Sequence, residues 1–223
     1  MILLDDTKDG ILPSQSIQKL IDNNIIYSNE KITSDLIQPA SLDLRLGFKG
    51  WRVPASFLPG KKFNVEEKLK AFAMHEFSLS EGMVLECGCV YIVKLLEGLK
   101  LPKNISGLAN PKSSTGRLDV FTRLIVDNSQ EFETIDQGYS GPLYIEISPR
   151  TFSILVRTGT RLNQLRFGIG ALQWPFVLRV ATPAGSERKS PRRPFLSPSE
   201  RWHLGKGVLR EGRRLRGGRL GGS

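Results

Sequence analysis

Through the first 171 residues, short apolar runs separated by Gly, Pro, Asn and Asp dominate the chain. Ser41-Leu42-Asp43-Leu44-Arg45-Leu46-Gly47 alternates strictly, so three leucines fall on one face of an extended segment and Ser41, Asp43 and Arg45 on the other. The runs Val84 to Leu96, Phe121 to Val126, Leu143 to Ile147, Thr151 to Arg157 and Arg161 to Phe167 predict further strands. One segment breaks the pattern: Ile17, Leu20 and Ile21 form an i, i+3, i+4 stripe behind Ser14, which predicts a single short helix capped by that serine. Many short strands with turn punctuation argue a mainly β fold, a sandwich or barrel of jelly-roll type with a short N-terminal helix.

Composition sharpens this picture at the C-terminal end. The 223 residues are 39% hydrophobic and 24% charged, enough for one domain with a real core. No run reaches the ~18 apolar residues of a membrane span, and Asp5 and Asp6 stand where a signal peptide carries positive charge, so a cytoplasmic, membrane-free protein is expected. The net charge of +10 is unevenly placed: residues 1–171 hold 20 Lys and Arg against 19 Asp and Glu, whereas residues 172–223 hold 12 against 3. Beyond Leu172 the chain is rich in Pro, Ser, Arg and Gly and has no Ile, Asn, Asp, Tyr or Met. The expected organisation is therefore a β domain over 1–171 and a disordered basic tail over 172–223. A nucleic-acid-binding arm, a solvated linker and an unselected, out-of-frame segment all fit that tail. With Trp202 alone among its arginines, it would contact nucleic acid only non-specifically. Cys87 and Cys89 are too few for a disulfide framework or a four-thiolate zinc site and are expected to be buried free thiols.

Two segments carry candidate chemistry. Asn110-Pro111-Lys112-Ser113-Ser114-Thr115-Gly116-Arg117 gathers two cations, three hydroxyls and a glycine in a loop suited to wrap an anion, without the spacing of a Walker loop. An ordinary basic turn fits as well. The second segment is the turn Thr134-Ile135-Asp136-Gln137-Gly138-Tyr139-Ser140-Gly141 leading into Leu143-Tyr144-Ile145-Glu146-Ile147. Alternation sets Glu146 opposite the core face, as a base for proton transfer if a loop or another chain covers it, and as a solvated strand residue if nothing does.

In combination and in order, these segments resemble the dCTP deaminases, which share a trimeric β fold with the dUTP diphosphatases. The likeness spans roughly residues 10 to 170. It rests on Gln38-Pro39-Ala40-Ser41-Leu42-Asp43-Leu44-Arg45-Leu46-Gly47, on Lys112 to Arg117, on Ile135 to Gly141 with Glu146 ten residues past Asp136, and on Gly159-Thr160-Arg161-Leu162-Asn163-Gln164-Leu165-Arg166-Phe167. It is greatest to the N-terminal half of the long, two-half bacterial form. The resemblance implies that Glu146 is the general base, that Ser113 and Arg117 contact phosphate and assist the reacting water, and that Asp136 holds the sugar. Lys112, Ser114, Tyr139 and Gln164 are then expected to line the substrate. The implied reaction is hydrolytic deamination of dCTP to dUTP in a trimer or pseudo-trimer, with Mg2+ only as the counterion of the triphosphate. No zinc is expected, because His75-Glu76 is adjacent rather than spaced and Cys87-Gly88-Cys89 is too tight for the zinc deaminase signature. A dUTP diphosphatase or a bifunctional enzyme is the alternative within the fold, and Glu146 separates them, since the diphosphatases carry an apolar residue there. A non-catalytic β domain with a nucleic-acid-binding tail is the alternative outside it.

Overall fold

The computed structural model describes residues 9–170. The basic tail over 172–223, and the expectation of its disorder, lie outside the described residues. Two short strands and a helix open the chain: β1 (Gly10–Ile11), α1 (Ser14–Asp22) and β2 (Ile26–Ser28). β3 (Ile37–Gln38), the thirteen-residue β4 (Ser41–Val53), α2 (Val65–Phe72), β5 (His75–Ser78) and β6 (Met83–Leu85) follow. Next come β7 (Val90–Lys100), β8 (Ile105–Pro111), the single-turn α3 (Ser113–Arg117) and β9 (Val120–Val126). β10 (Thr134–Ile135), β11 (Ser140–Pro149), β12 (Ile154–Val156) and β13 (Arg161–Ile169) complete the order, so the described part is mainly β, as the alternation predicts.

All ladders are antiparallel along the path β10-β8-β13-β4-β7-β11-β9, with β12 and β6 as a separate pair. The long strand β4 serves both halves of this sheet, its first residues pairing with β13 and its last with β7. The sheet curls so that its ends meet, where Thr122 on β9 donates to Asn163 on β13 and Glu133 N donates to Leu124 O. Inside the curl lies the main core, to which Leu42, Leu44, Leu46, Val93, Leu143, Ile145, Ile147, Leu165 and Phe167 contribute. The register of β4 shifts between Leu46 and Gly50, and Gly47 lies where a Cβ would sit 2.5 Å from the carbonyl oxygen of Lys94. Backbone cannot yield there as a side chain would. Gly47→Ala is expected to cost ~1–3 kcal/mol by overpacking, read as a lower midpoint in urea with an unchanged slope.

A second, smaller core forms outside the curl. Trp51, Val53, Ile92, Ile125 and Tyr144 project from the outer face of β4, β7, β9 and β11 and are roofed by residues 54–73, whose Val65 and Leu69 are buried among them. The roof holds α2 because Asn64 and Glu67 form a capping box, while Glu66 in its first turn receives Lys94 Nζ at 2.8 Å and the Tyr144 hydroxyl at 3.2 Å.

Several local expectations are corrected. Pro13, not Ser14, is the N-cap of α1: its extended backbone (φ −74°, ψ 168°) lets its carbonyl accept from Ser16 and Ile17, while Ser14 N is spent on Pro39 O. The run Val84 to Leu96 is broken into β6 and β7 by a turn at Gly88, whose φ of +76° no strand residue adopts. Only Ile154–Val156 of the run Thr151 to Arg157 is strand. The turn at Gly88 carries both cysteines as free thiols, but Cys87 is exposed rather than buried, its Sγ facing Arg150 O, and Cys89 is half-buried against the edge of the main core. No helix among the described residues is long and apolar enough to cross a membrane.

Candidate active site

The Lys112–Arg117 segment is not a loop but the junction of β8 with α3, pinned to β13 by two bonds into Leu162 O, from Lys112 N and from the buried Thr115 hydroxyl, each at 2.8 Å. This peg leaves Ser113, Ser114 and Arg117 on the exposed side of the turn. Lys112 Nζ reaches Asp43 Oδ2, and Asp43, at 1% exposure, is the polar-face residue that strand alternation identified on β4. Its other oxygen, Oδ1, has no hydrogen-bond partner among the described residues. Lys112, Ser113, Ser114 and Gln164 line one cleft of about 380 Å³ together with Gln38, Ser41, Asp43 and Arg166. Ser41 donates to Gln164 Oε1 at 3.1 Å, and Arg166 is oriented by Asn110 Oδ1 at 3.0 Å. Two cations against one paired carboxylate, with free hydroxyls at the rim, suit an anionic, oxygen-rich ligand.

Glu146 occupies a different place. It projects from β11 onto the roofed outer face and is 2% exposed, so the covering element is a segment of the same chain. Opposite it on β9 stands Arg123, whose Nη2 and Nε lie 2.8 and 3.3 Å from Glu146 Oε1. Ser56 of the roof donates to Oε2 at 2.5 Å. The Arg123 guanidinium packs over Phe132 at 3.7 Å and Phe121 at 4.9 Å. Beside this pair lies Glu133. It is held at φ +67°, a conformation few non-glycine residues adopt, with Oε2 buried and unpartnered among the described residues. Burial, aided by the charge of Glu146 and opposed by Arg123, pushes its carboxyl up to about 8.

The remaining expected residues divide. Asp136 is exposed at the β10–β11 turn, where its carbonyl accepts from Tyr139 N. Tyr139 is half-buried, its hydroxyl donating to Pro142 O at 2.6 Å and accepting from Asp127 N at 3.3 Å, and burial pushes that hydroxyl well above its ordinary range. The structure thus gathers Lys112, Ser113, Ser114 and Gln164 in one cleft. Glu146, Asp136, Tyr139 and Arg117 are not among the residues lining it. Ser56, Arg123 and Glu133 lie outside the motifs that the sequence offers, and Gln38 and Arg166 enter there only as members of motifs, with no role of their own. A cross-strand partner such as Arg123 emerges only from register, and Ser56 sits in an aperiodic stretch.

The model of the 2'-deoxycytidine 5'-triphosphate deaminase N-terminal domain matches residues 8–171. A dCTP deaminase of Haemophilus ducreyi is 27% identical over 173 residues, covering 73% of this chain and 86% of its own. A dUMP-forming dCTP deaminase of Corynebacterium glutamicum is 31% identical over 159 residues, covering 70% and 78%. The crystal structure of the 2'-deoxycytidine 5'-triphosphate deaminase from Agrobacterium tumefaciens is similar with a TM-score of 0.72 and 57% identity, over 74% of this chain and 49% of that one. The chain therefore spans about half the length of that solved relative. With a family model matching most of its length and a common fold, the chain belongs to the dCTP deaminase family, through that family's N-terminal domain.

Proposed function

We propose that the chain deaminates dCTP hydrolytically, giving dUTP and ammonia, at sites formed between copies of the β domain. One observation supports this above the others: a buried carboxylate, Glu146, fixed on an interior strand by directed donors, as proton transfer requires. Glu146 takes a proton from water, the hydroxide adds to C4 of cytosine, and the proton passes to the amino nitrogen as the C4–N bond breaks and ammonia leaves. The triphosphate, carried with Mg2+ as its counterion, sits against Lys112, Ser113 and Ser114, with Gln164 beside them. Arg117 neutralises charge from the exposed side of α3, and Asp136 and Tyr139 frame the sugar.

Glu146 lines none of the cleft that holds Lys112 and Ser113, so a site that joins base and phosphate ends requires the roofed Glu146 face of one copy to lie against α3 of the next. A trimer or pseudo-trimer accomplishes this. Mixing Glu146→Gln with Arg117→Ala after joint refolding, at a dCTP concentration too low to fill the weakened Arg117→Ala sites, is expected to recover roughly a quarter of the ammonia release that wild type shows at that concentration, the share of sites that draw both intact residues from different chains. No recovery places both residues in a single chain's site. A strict monomer by light scattering at high concentration contradicts the assembly.

A further inference from the structure

The polar contacts around Glu146 do more than bury it. Arg123 directs Nε and Nη2 at the same oxygen, Oε1, at 3.3 and 2.8 Å, which occupies both of its lone pairs. Arg123 Nη2 also lies 2.6 Å from Ser56 Oγ, which lies 2.5 Å from Glu146 Oε2. A guanidinium only donates and an ionised carboxylate only accepts, so the Ser56 hydroxyl accepts from Arg123 and points its hydrogen at Oε2. Oε2 then keeps one lone pair free.

We propose that Ser56 and Arg123 are positioning residues that make Glu146 Oε2, rather than Oε1, the atom that receives the proton from water. The inference rests on the reading of Glu146 as the base. Arg123 cannot swing away, since its planar group is stacked on Phe132 and flanked by Phe121. Ser56 is set by the roof, three residues past the end of β4, in a segment tied down at Gly60 N to Ser129 O and at Val65 N to Asp127 Oδ1. One hydroxyl thereby connects the cover of the outer face to the orientation of the carboxylate, and the two ends of the chain of donors, guanidinium and hydroxyl, hold it against rotation about its terminal bond.

The test compares steady-state deamination of dCTP by the full chain and its Ser56→Ala, Ser56→Thr, Arg123→Lys and Glu146→Gln variants. Ser56→Ala is expected to lower kcat ~10-fold with KM for dCTP unchanged within about twofold, because a released carboxylate misaligns the proton transfer without touching the nucleotide. Ser56→Thr keeps the hydroxyl and is expected to return kcat to within ~3-fold of wild type. Arg123→Lys replaces a two-pronged donor with a point charge and is expected to lower kcat ~100-fold. An unchanged kcat in Ser56→Ala, or a Ser56→Thr that fails to recover activity, overturns the positioning role while Glu146→Gln remains inactive. A silent Glu146→Gln, or a wild-type chain that releases no ammonia, overturns the base assignment and this inference with it.

Discussion

Replacing Glu146 with glutamine is expected to lower ammonia release from dCTP by ~10²–10⁴-fold while dCTP still binds. The amide keeps the shape of the carboxylate and can still accept from Arg123 at one oxygen, so the outer face stays closed, but it cannot take a proton from water. Binding is expected to survive because the proposed function assigns the triphosphate end elsewhere, to Lys112, Ser113, Ser114 and Arg117. Arg117→Ala is the complementary case, in which nucleotide affinity is expected to fall ~10–100-fold through loss of the proposed charge-assisted contact. The measurement pairs an ammonia assay with calorimetric titration of dCTP. A diphosphatase reverses the pattern: Asp136→Asn abolishes pyrophosphate release from dUTP and Glu146→Gln is nearly silent. A dUMP-forming enzyme, as the Corynebacterium glutamicum relative is named, yields both products and loses ammonia release alone with Glu146→Gln.

The second large effect is on stability rather than rate. Glu133 carries its proton to about pH 8 in the folded chain, against an ordinary 4.5, chiefly because burial disfavours its charge. Between those values the folded state binds more protons than the unfolded one, so this group's contribution falls as pH rises from about 4.5 and levels off above about 8. Glu133→Gln removes the titration while keeping a similar shape. The difference in unfolding free energy between variant and wild type is therefore expected to grow in the variant's favour from pH 5 to pH 8. Urea melts at several pH values decide the matter. A difference that is flat across this window shows that Glu133 is solvated or paired in solution.

Much of the fold follows from period-two patterning, and where the pattern misleads the reasons are local. Leu42, Leu44 and Leu46 are core residues as alternation requires, yet Asp43 on the opposite face is just as buried, since Lys112 supplies its counter-charge from a distant strand end. Nothing in the neighbourhood of Asp43 in the chain reveals that partner. The helix α2 was legible in principle from Asn64 and Glu67 with Val65, Leu69 and Phe72 at i, i+4 and i+7, but a stripe of three residues over two turns gives a weak periodic signal. For the site, Glu146 and the Lys112–Gln164 group stand out by residue type and order. Arg123 and Ser56 do not, because what joins them to Glu146 is the β9–β11 register in one case and the path of an irregular roof in the other. Asp136 and Tyr139 are close neighbours in sequence but differ in burial, the aspartate exposed and the tyrosine ring tucked against the main core.

The double duty of β4 has a geometric consequence. Its first residues, Ser41 and Asp43, form a wall of the anion cleft, and its last residue stands three positions before Ser56, which touches the carboxylate. The two chemically distinct places are thus spaced by a strand with a contour on the order of 40 Å, hydrogen-bonded along both edges, rather than by loops. β4 works as a ruler. Its graduations are single residues, and each reverses the side to which a side chain points, so the length of this strand between Asp43 and Val53 is far less free to drift than its composition.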